Sequence, residues 1–118
     1  MEFFEQYTGL ECIIRGEELK KIGKFCEQSD CVMIVAKSGL MVINNYKDKA
    51  LYTKNVQTSI KKFIAFRSHF LSDVLAENLN DREFYVIVFD KEPGHAVVET
   101  ISGKLVTFIS GKLFSPPC

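Results

Sequence analysis

The spacing of apolar residues in the first half of the chain changes from that of a strand to that of a helix and back. Leu10–Arg15 is rich in isoleucine and lies between two glycines, which indicates a short strand. A helix is predicted to begin at Gly16, with two acidic residues in its first turn, where the helix dipole favours them. Its apolar residues recur at helical spacing: Leu19, Ile22 and Cys26. Three strands are predicted to follow: Cys31–Ala36, Leu40–Tyr46 and Ala50–Val56.

The second half shows the same order of patterns. Lys62–Phe66 is typical of a strand, and Arg67–Asn80 carries apolar residues three and four positions apart, with Ser68 placed to cap a helix. Three further strands are predicted after it: Phe84–Phe89, Ala96–Ile101 and Lys104–Ser110.

Aligned at a constant offset, the two halves match Cys12 with Ile64 and Arg15 with Arg67. One inserted residue later, Cys31–Val35 matches Phe84–Val88. The predicted fold class is therefore α+β: a duplicated βαβββ unit whose antiparallel sheets carry two helices on one face. We expect one domain over residues 1–118, with halves at about 10–56 and 60–110 and a short tail at 111–118.

Composition and charge narrow the class of protein. The 118 residues are 47% hydrophobic and 25% charged, which is the usage of a globular domain. Fifteen basic and fifteen acidic residues cancel, so a nucleic-acid contact would require local segregation of charge. The start of the chain is acidic where a signal peptide would be basic, and no apolar run approaches the roughly 18 residues of a membrane span. We therefore expect a soluble chain, with no membrane partner, in the cytoplasm or the nucleus.

The residues with reactive side chains do not form a recognisable catalytic or metal site. Cys26 and Cys31 are spaced too widely for a zinc ligand pair, and neither His69 nor His95 has a second ligand nearby in sequence. Cys12, Cys26 and Cys31 fall where buried apolar residues are expected. No glycine-rich loop could hold a phosphate. The sequence predicts a protein that is not an enzyme, with no catalytic residue, no metal, no cofactor and no evident small-molecule substrate.

The order of elements over Leu10 to Ser110 resembles one domain of the DNA sliding-clamp superfamily. Gly16 opening the first helix and the Ser38-Gly39-Leu40 turn add to this resemblance. It implies a ring in which edge strands of neighbouring domains pair, the sheets form the outer wall and the helices line the hole. The implied partners are copies of the chain or clamp-type partner chains, together with short docking peptides. Clamps of this superfamily carry two or three domains per chain, and this chain has room for one.

The charge pattern of the first predicted helix favours a contact with DNA phosphates. Four cations lie on or just before its polar side: Arg15, Lys20, Lys21 and Lys24. Such residues position a duplex without reading its sequence. They are the predicted nucleic-acid-binding residues, with duplex DNA as a possible partner. The second predicted helix opposes this role, because Asp73 and Glu77 lie on its outward side.

Two functions are carried forward. The first is a non-enzymatic clamp-like binding and assembly module, a scaffold in DNA replication, DNA repair or checkpoint complexes that oligomerises and docks partners. The alternative is a roadblock- or longin-type dimeric scaffold for small GTPases or trafficking machinery. A roadblock domain begins with a helix and usually ends with one, whereas this sequence predicts a strand at Leu10–Arg15 and ends in Ser115-Pro116-Pro117.

Overall fold

The computed structural model of the chain describes residues 11–26, 30–45, 48–58, 60, 63–68, 79–92 and 95–114. These residues form ten strands and one helix. In chain order the elements are β1 (Glu11–Arg15), α1 (Gly16–Cys26), β2 (Cys31–Ala36), β3 (Gly39–Asn44), β4 (Lys49–Thr53), β5 (Val56–Thr58), β6 (Ile64–Ser68), β7 (Phe84–Glu92), β8 (His95–Thr100), β9 (Leu105–Ser110) and β10 (Lys112–Phe114).

The strands form two five-stranded antiparallel sheets, each built from both halves of the chain. Sheet 1 has the order β5-β1-β7-β8-β9 and sheet 2 the order β10-β6-β2-β3-β4. In sheet 1, β1 lies between β5 and β7. In sheet 2, β6 lies between β10 and β2. The first strand of each half is therefore paired with one strand of its own half and one strand of the other half.

The predicted fold class is wrong. The described residues are mostly strand and contain one helix, in place of a duplicated βαβββ unit with two helices on one face. Local patterns identified most strands, but they do not encode which distant strand each one pairs with. Residues 69–78, the centre of the second predicted helix, lie outside the described part of the chain. Arg67 and Ser68, its predicted start, are the last residues of β6, and the Ser68 hydroxyl donates to the Ser110 carbonyl at 2.7 Å.

The predicted match of Cys31–Val35 with Phe84–Val88 is also wrong, by one residue. Ile14 pairs with Tyr85 in sheet 1, and Phe66 pairs with Met33 in sheet 2. Ile14 and Phe66 correspond to each other at the constant offset, so their strand partners Tyr85 and Met33 must also correspond. The predicted match had instead placed Met33 opposite Val86. A slip of one residue moves every side chain of a strand to the other face of its sheet, and Met33 and Tyr85 are both buried.

Two short strands were not predicted as separate elements. The predicted strand Ala50–Val56 is two strands, since β4 ends at Thr53 in sheet 2 and β5 begins at Val56 in sheet 1. The predicted tail contributes β10, which pairs with β6. The prediction for Cys31–Ala36 is confirmed in full, and the helix begins at Gly16 as predicted.

The core lies between the inner faces of the two sheets and the buried side of α1. Leu19, Ile22 and Cys26 of the helix are buried in one cluster with residues from both sheets. Phe66 of sheet 2 and Phe89 of sheet 1 meet in this core, with ring centroids 5.6 Å apart. The sheets therefore share one hydrophobic core.

Backbone and side-chain hydrogen bonds fix α1 at both ends. At its start the Gly16 amide donates to the Glu83 carbonyl at 2.8 Å, and a Cβ at Gly16 would overlap the Asn80 carbonyl oxygen. At its end the Asn44 side-chain amide donates to the carbonyls of Phe25 at 2.9 Å and Cys26 at 3.2 Å, which the helix itself leaves unsatisfied. The helix is therefore attached to the approach to β7 at one end and to β3 at the other.

Candidate functional site

The three predicted DNA-contacting lysines of α1 lie together on its polar side. The buried positions of the helix include Leu19, Ile22 and Cys26, which face the core. Lys21 and Lys24 are exposed and Lys20 is half-buried on the opposite side. We call Lys20, Lys21 and Lys24 the lysine face.

Acidic side chains offset much of the charge of the lysine face. Lys20 Nζ lies 2.8 Å from Asp81 Oδ1, and the hydrogen bond and charge of Lys20, with a smaller effect of Lys24, hold the pKa of Asp81 below its usual range. Lys21 Nζ lies 3.8 Å from Glu17 Oε1 and 4.0 Å from Glu18 Oε1. Exposed pairs of this kind add little stability, but they lower the positive potential that a phosphate would meet.

Arg15, the fourth predicted cation, does not point its charge into this group. It ends β1, and its guanidinium carbon lies 5.2 Å from the ring centroid of Phe84, with which it is paired across sheet 1. This is a cation–π contact between exposed side chains. Arg15 therefore belongs to a different surface.

That surface is a half-open groove of about 740 Å³ between the end of β1, the first turn of α1 and the segment 54–57. Ile13, Phe84 and Ile101 supply its apolar lining, and Arg15 and Lys54 supply cations. Glu17 and Glu18 lie at its helical side. We call this surface the β1–α1 groove.

A second surface is the outer edge of β9, which no described strand pairs with. Leu105 is 48% exposed and Phe108 is 45% exposed. The strand contains no charged residue and no proline. The pairing of β8 with β9 shifts between Val98 and Glu99, and it is regular from His95 to Val98.

The cysteines of the described residues are part of the core. Cys12, Cys26 and Cys31 are free thiols and are buried. Burial raises the pKa of Cys12 to about 12 and also raises the pKa values of Cys26 and Cys31, which lie close together. The thiolate is the nucleophile and metal ligand, so these thiols are held in their unreactive form. Within the described ranges, no three His, Cys, Asp or Glu side chains are grouped so that they could hold a metal ion.

Sequence reasoning missed the residues that decide the character of these surfaces. Asp81 is far from Lys20 in sequence, and no local pattern indicates that they meet. Phe84 was predicted as the first residue of a strand, and the exposure of its side chain was not predicted. The run Phe84–Phe89 is apolar throughout, so no alternation in the sequence indicates that Phe84 is exposed while Tyr85 is buried. In the described part of the chain, no helix has the length and apolar character that a membrane span requires.

Comparisons of the chain with family models, with curated proteins and with solved structures found no match.

Proposed function

We propose that this chain is a non-enzymatic, clamp-like assembly module that self-associates and docks partner segments in DNA replication, repair or checkpoint complexes. The observation that carries the proposal is the outer edge of β9, which has no strand partner among the described residues. An unpaired antiparallel edge presents a row of backbone donors and acceptors that a second strand can satisfy. Extension of sheet 1 into a neighbouring chain would satisfy that row and cover Leu105 and Phe108.

The other sheet edges carry features that discourage such pairing, and β9 lacks them. The strands β5 and β10 have three residues each, and β10 begins with Lys112. The strand β4 begins with exposed Lys49, and its exposed Tyr52 donates a hydrogen bond to the Ser38 carbonyl at 3.0 Å. Short strands and lysines are common protections of a sheet edge. The six residues of β9 contain no charge, and they include two large exposed apolar side chains.

The proposed association with DNA complexes is supported by the lysine face. Lys20, Lys21 and Lys24 lie on one side of a helix fixed at both ends, an arrangement that suits contact with phosphates. Asp81, Glu17 and Glu18 limit the strength of such a contact. The proposal therefore assigns assembly to β9 and a weaker, salt-sensitive phosphate contact to the lysine face.

The test of assembly is the native mass of the chain at micromolar concentrations, with Phe108→Lys as the diagnostic variant. We expect the wild type to have a multiple of the 13.4 kDa chain mass, and Phe108→Lys to reduce it to a single chain. A lysine on an edge strand opposes the addition of another strand. Because Phe108 also packs edge-on against His95, with centroids 6.1 Å apart, Leu105→Lys is made as a second variant.

Phe63→Lys is the matched control, because Phe63 is 47% exposed and lies in no strand of sheet 1. It should leave the oligomeric mass unchanged. A monomeric wild type throughout the micromolar range would overturn the assembly proposal, as would equal dissociation by Phe63→Lys.

A further inference from the structure

The β1–α1 groove has an apolar lining that extends across neighbouring strands. Phe84 at the start of β7 is paired with Arg15 of β1, and Ile13 is paired with Val86 on the same face. Ile101 follows the end of β8 on the other side of β7 and is 60% exposed. A free inorganic anion would leave these apolar side chains in water, so the lining favours a ligand that has apolar groups.

The cations of the groove have no acidic partner among the described residues. No ion pair joins Arg15 or Lys54 to a carboxylate in the parts of the chain that the structure describes. The Arg15 guanidinium is placed against the Phe84 ring, which leaves its N–H groups able to donate to a carboxylate.

The acids of the groove, in contrast, share a cation. Glu17 and Glu18 both lie within 4.0 Å of Lys21 Nζ, on the helical side. The unmatched charge at the apolar lining is therefore positive, because Lys21 offsets the acids of the helical side, whereas a phosphate backbone would leave the apolar side chains uncovered. This combination favours a carboxylate carried by an apolar molecule over a nucleic acid.

We propose that the β1–α1 groove binds a short acidic peptide segment of a partner protein, with apolar side chains against Phe84 and Ile101 and a carboxylate on Arg15 and Lys54. The volume of about 740 Å³ is in the range of known ligand sites. The inference rests on the proposed function, because it specifies the chemistry of the partner segment that the assembly module would dock. It uses a surface separate from the β9 edge.

The experiment measures binding of a fluorescein-labelled peptide of alternating aspartate and leucine residues by fluorescence anisotropy. The probe control is the same peptide with lysine in place of aspartate. Lys54→Glu is the main variant because Lys54 is exposed, and Arg15→Glu is the second. Each should weaken binding of the acidic peptide by about twofold to fivefold, the range for an exposed charge pair. Lys37→Glu, an equal charge change at an exposed turn that does not line the groove, should leave binding unchanged.

Amide NMR spectra locate the bound peptide. We expect shifts at Ile13, at 54–57 and at Phe84 and Ile101. Equal binding of the lysine peptide, no binding of the acidic peptide, or shifts confined to β9 would each overturn the inference. A change in native mass on Lys54→Glu would assign the groove to contacts between copies and would also overturn it. Failure of the β9 proposal is seen separately, in the native mass of the Phe108→Lys series.

Discussion

The two sheets have corresponding strand orders and different outer surfaces. Exchanging β1–β5 with β6–β10 converts the order of sheet 1 into that of sheet 2. In sheet 1, β1 pairs with β7, the first described strand after the undescribed segment 69–78. In sheet 2, β6 pairs with β2, the first strand after α1. The correspondence of strand order leaves the surface residues free to differ.

The clearest difference is at the matched arginines. Arg67 of sheet 2 makes a bidentate ion pair with Asp30, with Nε 3.1 Å from each carboxylate oxygen, and this pair raises the pKa of Arg67. Arg15 of sheet 1 contacts the Phe84 ring instead. The same residue type is therefore paired with an acid on sheet 2 and, among the described residues, with an aromatic ring and no acid on sheet 1.

The outer strands of the two sheets, β4 and β9, also differ in their charged and exposed residues. The strand β4 of sheet 2 is protected by Lys49 and by the hydrogen bond of Tyr52, whereas β9 of sheet 1 is uncharged with exposed apolar residues. Among the described residues, sheet 1 therefore carries the uncharged outer edge of β9 and the apolar lining of the β1–α1 groove. The surfaces proposed for self-association and for peptide docking both lie on sheet 1, and both sheets contribute to the core.

The largest expected effect tests whether the sheets are one cooperative unit. Phe66→Ala removes a ring that is 1% exposed and that packs on Phe89 of the other sheet. We expect the free energy of unfolding to fall by about 3–5 kcal/mol. Phe63→Ala, at a surface position of the same chain segment, should change it by less than about 0.5 kcal/mol. Urea titrations followed by circular dichroism and by tyrosine fluorescence measure both, and separate transitions for the two probes would contradict a shared core.

A smaller effect is expected where sheet 2 holds the end of α1. Asn44→Ala leaves the carbonyls of Phe25 and Cys26 without their side-chain donor. Loss of a buried hydrogen-bonding partner costs about 1–3 kcal/mol, so the urea midpoint should decrease. Asn55→Ala, at an exposed position, serves as the control. An unchanged midpoint for Asn44→Ala would show that the helix end does not depend on this contact.

The smallest effect concerns the charge balance beside sheet 1. Lys20→Ala should raise the pKa of Asp81, and Lys24→Ala should raise it less, because Lys20 is the main cause of its depression. A depressed carboxyl pKa stabilises the folded state above the unfolded-state value near 3.8, and this contribution is lost as the pH falls through the lower folded-state pKa. Carbonyl NMR titration of Asp81 measures both variants. An equal rise of the Asp81 pKa in the two variants would contradict the assignment of Lys20 as the main cause of its depression.

The same acid provides a test of DNA contact. Asp81→Asn removes the charge beside Lys20, so it should strengthen duplex binding if the lysine face meets phosphate. Replacement of Lys20, Lys21 and Lys24 by alanine should weaken binding and reduce its salt dependence. If neither change alters binding in a salt titration, the lysine face is not a DNA site.

The periodicity of apolar residues predicted most of the elements, but it did not predict which strands pair with each other. Leu19, Ile22 and Cys26 indicated α1 because helical spacing is a local property, and the apolar run Cys31–Ala36 indicated β2 for the same reason. The pairing of β1 with β7 joins residues from opposite halves, and nothing in Leu10–Arg15 specifies it. The short strand β5 carries three residues, too few for a recognisable alternation.

The candidate surfaces could likewise be predicted only in part from the sequence. The lysine face follows from helical geometry, so Lys20, Lys21 and Lys24 were found together. Their partner Asp81 and the contact of Arg15 with Phe84 depend on tertiary structure. The sequence could therefore indicate where cations lie, but not which of them an acid or a ring already occupies.

The interleaving of the two halves has a consequence for synthesis on the ribosome. The hairpins β2-β3 and β3-β4 can form as soon as they emerge, because their strands are close in sequence. Of the described strands β1 is made first, yet its neighbour β7 is translated only after Glu83, so the side of β1 that pairs with β7 has no native partner until then. The earliest of the described strands is thus among the last to be completed, and a nascent chain that ends before β7 keeps one edge of that strand without its native partner.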